Sequence, residues 1–120
     1  MRHISWNCRG LGSSLKEEGL KDLVQIYKLE ILLVQEMKLE EASLLQDGKS
    51  FWKKGSGIAN NSRGASGGIA TFWDTTFYDL EAEERSMHWV FTKLTHKISG
   101  RTVSLFNLYV PVLHAEKIDC

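Results

Sequence analysis

A chain of 120 residues with 42% hydrophobic side chains, 25% charged ones and a single proline is too apolar for a disordered segment and is sized for one domain or part of one. Fifteen basic and fifteen acidic residues cancel, so no global field draws it to nucleic acid or membrane, and any nucleic-acid contact must come from a local patch. Two cysteines, Cys8 and Cys120, are too few for a disulfide framework or a zinc quartet and suit a reducing, intracellular setting, and the longest apolar run, ILLV, is far short of a membrane span.

Residues 3–6 alternate and carry Ile4 and Trp6, which predicts a short strand. Residues 9–14 follow as a loop with Gly10 and Gly12. Ser14 then precedes Glu17 at capping-box spacing. Leu20, Leu23, Val24 and Tyr27 recur at i, i+3, i+4 and i+7, so the spacing predicts a helix with these on one face, ending near Leu29. ILLVQE, an unbroken apolar run closed by a carboxylate, predicts a strand buried on both faces.

Strand, loop, helix and strand make a βαβ unit, whose two strands run parallel. Asn7 and Glu36 then share one sheet edge although they are 29 positions apart. Open α/β sheets bind ligands at that edge. Beyond it, residues 40–48 read as a short helix or irregular turn, residues 50–59 as a strand, and NNSRGASGG as a loop. GIATFWD is a strand by alternation, and DLEAEERSM fits a short helix or, better, a strand with an exposed acidic face. HWVFTKLTHK and RTVSLFNLYV flank Ser99-Gly100 as a hairpin. The order predicts an α/β sandwich with a mixed, mostly antiparallel sheet, without repeats or linkers.

Glu36 is the leading candidate for chemistry. A carboxylate closing a buried strand is costly unless a cation, a lysine or a helix N-terminus pairs with it. Asn7 on the neighbouring strand offers an amide oxygen. Together they are hard oxygen donors of the kind Mg²⁺ accepts. The plainer reading is that Asn7 caps a turn and Glu36 is solvated. Arg9, Lys38 and Arg63 are the basic groups near these loops; an arginine fork suits phosphate, and ordinary surface charge is the alternative. RGASGG lacks the spacing and lysine of a P-loop. His3, His88, His96 and His114 are scattered and read as structural or surface residues, with His88 and His96 on one strand face; Trp6, Trp52, Trp73 and Trp89 read as strand residues that pack. No nucleophile elbow is present.

Taken in order, ISWNCRGLG, ILLVQEMK, SGGIATFW and FNLYVPV resemble the endonuclease/exonuclease/phosphatase superfamily, and most closely the endonuclease domain that precedes reverse transcriptase in plant LINE-type non-LTR retrotransposons. The resemblance spans nearly the whole chain. It implies a four-layered α/β sandwich and Mg²⁺-dependent cleavage of a phosphate ester, with DNA as the partner, no membrane, and a nuclear setting where genomic DNA is the target. It implies that Glu36 holds Mg²⁺, that Asn7 supports the metal or phosphate, that Tyr109 of the YxP segment contacts the scissile phosphate, and that Lys38 follows the metal ligand. Arg9 stands where DNA-repair members carry an acid, and Val112 where many carry asparagine.

The family's GDxN and SDH blocks find no match, so the chain reads as the N-terminal half of such a domain, inactive alone and a weak Mg²⁺ binder. Losing a second half should leave one apolar sheet face uncovered. Two alternatives stand beside this reading: a non-catalytic binding module, and a phosphatase-like member of the same superfamily.

Overall fold

The computed structural model describes residues 2–7, 13–37, 49, 51–60, 68–86 and 88–108. The first strand, β1, is His3–Asn7, followed by α1 (Ser13–Tyr27) and β2 (Ile31–Met37). Then come β3 (Gly55–Asn60), β4 (Gly68–Asp74), β5 (Tyr78–Arg85), β6 (Trp89–His96) and β7 (Thr102–Leu108). They form a mixed sheet of order β1-β2-β4-β3 and an antiparallel sheet of order β5-β6-β7. Among the described residues only β1 and β2 are parallel, as the βαβ reading expects; the other ladders run antiparallel.

Three layers result: a helix, the mixed sheet, and the second sheet. Alternation along the strands sorts the mixed sheet's side chains onto two faces. Leu32, Val34, Ala59, Ala70 and Phe72 meet Leu20 and Val24 of α1, with Ile4, Trp6 and Leu23 at the margin. Ile31, Leu33, Ile58, Ile69 and Trp73 face the other way and pack on Tyr78, Val90 and Leu94 of the second sheet. Residues 31–34 are therefore buried from both sides, as an unbroken apolar strand requires. The expected uncovered face of the mixed sheet is not found, because β5, β6 and β7 fold back over it and fill the gap. Exposed apolar groups include Phe106 and Leu108 of β7, both more than half exposed.

The helix stops at Tyr27, two residues short of the expected end. Lys28 takes a left-handed conformation (φ 50°), and the Leu29 N–H donates to the Val24 carbonyl at 3.2 Å. This is a Schellman stop, with Leu29 packing back on Val24. Tyr27, expected on the buried face, is 52% exposed at the last position of the helix. A lysine at φ above zero carries a Cβ clash that glycine lacks. Lys28→Gly is expected to stabilise the chain by about 0.5–1 kcal/mol, read as a higher urea midpoint.

The strand expected over residues 50–59 begins only at Gly55. Residues 51–54 form a turn closed by a 2.9 Å bond from the Gly55 N–H to the Trp52 carbonyl. Phe51 and Trp52 supply the apolar pattern there as buried turn residues. A Cβ on Gly55 would come within 2.8 Å of Trp52, so this turn needs glycine. The hairpin's turn covers residues 97–100, with Gly100 at φ 74°. His96 accepts the Ser99 N–H on Nδ1 (3.2 Å) and stacks on Phe77, which confirms it as structural. His88 precedes β6 and does not share a strand face with His96.

Thr92 is fully buried on the inner face of β6, and its Oγ1 finds no hydrogen-bond partner among the described residues. Valine has the same shape without the hydroxyl. Thr92→Val is expected to raise stability by about 1 kcal/mol, seen as a higher melting temperature.

Candidate active site

The parallel ladder of β1 and β2 pairs Ser5 with Leu33 and Asn7 with Gln35. Asn7 and Glu36 therefore close neighbouring strands at the same sheet edge, as the βαβ reading requires. The ladder between β2 and β4 changes register between Val34 and Met37, so β2 carries an extra residue in the stretch that holds Glu36. Such irregularities terminate regular pairing and recur beside active sites. The side chains of Asn7 and Glu36, and Arg9, Lys38, Arg63 and Tyr109 altogether, lie outside the described residues.

A third strand end reaches the same place. Asn107, next to last in β7, is 1% exposed and crosses from the second sheet to the first. Its Nδ2 donates to the Ala70 carbonyl (2.9 Å) and lies 3.3 Å from both the Val34 carbonyl and Thr71 Oγ1. Its Oδ1 accepts from Gln35 Nε2 at 2.8 Å. Gln35 Nε2 also donates to Ser5 Oγ at 2.9 Å. The amide orientation of Asn107 follows from chemistry: reversed, it would set an oxygen against two carbonyls and a nitrogen against a donor. Burial of so polar a group is tolerable because each of its polar atoms is satisfied. This bond chain joins β1, β2 and β7, and β7 runs directly on into Tyr109.

Neither Gln35 nor Asn107 was among the candidates read from the sequence. A usable signal existed for Asn107. Val103 and Leu105 face inward on β7, and Asn107 continues that alternation with an amide where an apolar residue belongs. Gln35 carries no comparable mark, since a polar residue closing a buried strand is ordinary.

The strongly shifted titration sits at the far pole. The Tyr78 hydroxyl donates to Glu30 Oε1 at 3.1 Å; burial, with that carboxylate adding to it, pushes the phenol up to about 12. Glu30 precedes β2, at the opposite end from Glu36, so this pair braces the sandwich and does not serve the candidate edge. Among the described residues no group of three or more His, Cys, Asp or Glu side chains could hold a metal ion, and no helix is long and apolar enough to cross a membrane.

A helix and a mixed sheet closed by an antiparallel sheet make a partial α/β fold like that of endonuclease/exonuclease/phosphatase structures. The structure is similar to D. rerio TDP2 humanized by 14 mutations, at 16% identity and a TM-score of 0.75, over 98% of this chain and 50% of that one. It is also similar to an endonuclease/exonuclease/phosphatase family protein from Bacteroides thetaiotaomicron, at 17% identity and a TM-score of 0.72, over 98% and 53%. A third likeness is to D. rerio TDP2 complexed with a single-strand DNA product, at 15% identity and a TM-score of 0.66, over 87% and 43%. The chain thus spans about half the length of these structures, and what they share with it is the fold. No protein-family model matches the chain, and neither does the sequence of any curated protein.

Proposed function

We propose that this chain supplies half of a Mg²⁺-dependent site for cleaving phosphodiesters in DNA, of the kind found in retrotransposon endonucleases. The observation that carries the reading is the convergence of three strand ends, those bearing Asn7 and Glu36 and the one leading to Tyr109. The likeness to a fold whose D. rerio TDP2 representative holds a DNA product supports it.

The donor set fits the metal by type. Mg²⁺ takes one or two carboxylates with other hard oxygens and keeps several waters. Glu36 would supply the carboxylate and Asn7 the amide oxygen. When bound, such an ion polarises a phosphoryl oxygen as a Lewis acid. Glu36 offsets the cation's charge, Tyr109 offers a hydroxyl donor to a phosphate oxygen, and Lys38 and Arg9 bring positive charge to a polyanion. Glu36 is the one carboxylate among these five and is committed to the metal, so this reading assigns the base that takes the proton from the attacking water to another group.

Supercoiled plasmid with Mg²⁺ tests this. The chain alone is expected to leave the plasmid intact. Joined to a segment carrying GDxN and SDH blocks, it is expected to nick, and Glu36→Ala in that joined protein to slow nicking roughly a hundredfold or more. Nicking that persists in Glu36→Ala would overturn the assignment of Glu36. Nicking by the chain alone that is lost in Glu36→Ala would overturn the need for a second segment.

A further inference from the structure

We infer that Ser5, Gln35 and Asn107 form a positioning device that sets the three strand ends of the candidate site against one another. The inference rests on the proposed function for what the ends carry, but its geometry stands independently. Ser5 is two residues before Asn7, Gln35 is one before Glu36, and Asn107 is two before Tyr109. One amide nitrogen, Gln35 Nε2, reaches both other members, at 2.9 Å to Ser5 Oγ and 2.8 Å to Asn107 Oδ1.

Two kinds of contact hold these strands, and they differ in what they fix. Main-chain pairing sets β1 against β2 and already fixes that register. Nothing of the kind links β7 to β2, because they belong to different sheets. Apolar packing between sheets is non-directional and tolerates sliding. Val103 and Leu105, the other inward residues of β7, pack by apolar contact against the cluster between the sheets. Asn107 is directional. Its donors are aimed at the carbonyls of Val34 and Ala70, on two different strands, and its acceptor at Gln35. A slide of β7 by one residue would replace the amide with Phe106 or Leu108 and leave Gln35 without this bond. The segment entering Tyr109 is thereby pinned over the end of β2.

The device is also cheap to perturb at one end. Ser5 is exposed and Gln35 half-buried, so their replacement removes no apolar core side chain. Gln35→Met keeps the length and removes the bonds to Ser5 and to Asn107, leaving Asn107 Oδ1 without this donor; Ser5→Ala removes those to Ser5, and Ser5→Thr restores the hydroxyl. Leu94→Ala, at a buried inner-face residue of β6 that pairs with Val103 and lies four residues from the position opposite Asn107, is the control for general loosening.

The test uses the intact chain, ¹⁵N-labelled, and follows the amide signals of Asn7, Glu36 and Tyr109 with and without Mn²⁺ as a paramagnetic probe. Gln35→Met is expected to shift all three signals together and to weaken Mn²⁺ broadening at Asn7 and Glu36 roughly tenfold, the size typical for groups that orient metal ligands. Ser5→Ala is expected to shift Asn7 and Glu36, with recovery in Ser5→Thr. Leu94→Ala is expected to lower stability and leave the three signals in place. Shifts confined to β2 in Gln35→Met, with Tyr109 unmoved, would overturn the positioning role, as would equal shifts in Leu94→Ala. Should the wild-type chain show no Mn²⁺ broadening while Gln35→Met still moves the three signals together, the metal reading fails and the positioning role stands.

Discussion

Phe72→Ala is expected to lower the urea midpoint of this chain by about 2–3 M. Phe72 is fully buried on the helix side of β4, the strand that lies between β2 and β3. Its ring meets Phe51 edge to face at 5.0 Å and 90°. Truncating a buried phenylalanine costs about 3–5 kcal/mol in transfer and cavity terms, and the aromatic pair adds about 1 kcal/mol. Domains of this size hold about 5–15 kcal/mol in all. With a urea slope of about 2 kcal/mol per molar, the loss reads as the stated shift. The same truncation at Ile98, 86% exposed in the hairpin turn, is expected to change stability by no more than about 0.5 kcal/mol. A shift at Phe72 no larger than that at Ile98 would mean that the helix and the mixed sheet do not share a core.

The contrast between these two positions shows what local pattern carries and what it does not. Ile98 and Phe72 are both apolar, yet only Phe72 lies in a strand whose neighbours alternate toward two covered faces. The periods of two and 3.6 make β1, α1, β2 and the hairpin readable, because burial on a face imposes those periods directly. Phe51 and Trp52 carry apolar character without a period, and they are read as strand although they pack from a turn. The helix end is misread for a similar reason. Leu29 continues the apolar face by type, but it reaches the core by folding back over a left-handed Lys28, and no glycine marks that turn. The edge that holds Asn7 and Glu36 is readable because parallel pairing of a βαβ unit follows from its order of elements. Asn107 is not found by the same route. Its role depends on which strand the second sheet lays over β2, a contact between residues more than seventy positions apart that no local period encodes.

Ser104→Glu is expected to turn a self-associating chain into a monomer, and Ser104→Val to do the reverse. The two edges of the second sheet are defended very differently. β5 carries Asp79, Glu81, Glu83, Glu84 and Arg85. Three ion pairs dress it, Arg85–Glu83 at 3.1 Å, Lys93–Glu81 at 3.5 Å and Lys97–Asp79 at 3.7 Å. Arg85 also reaches over to the Ala59 carbonyl on the mixed sheet's edge strand, at 3.0 Å. β7 has neither charge nor proline along TVSLFNL, and among the described residues β6 is its one strand partner. It exposes Phe106 and Leu108 beside Trp89 and Phe91, with Phe106 4.8 Å from the Phe91 ring. Uncharged, β-prone edge strands pair with further chains. Zero net charge leaves little repulsion to prevent it. Ser104 is exposed in the middle of that strand and sits opposite Lys93 in the ladder. A glutamate there adds the missing charge and faces a cation, a cross-strand pair that adds roughly 0.2–1 kcal/mol and so leaves the fold intact. Valine raises β-propensity and removes polarity. Size-exclusion chromatography with light scattering, run from about 5 to 200 μM, is expected to show wild type growing in mass with concentration, Ser104→Glu holding at 13.6 kDa, and Ser104→Val associating at lower concentration than wild type. A wild-type chain that stays monomeric throughout would mean that the bare edge of β7 is harmless. Mass growth unchanged in Ser104→Glu would place the self-association on another surface.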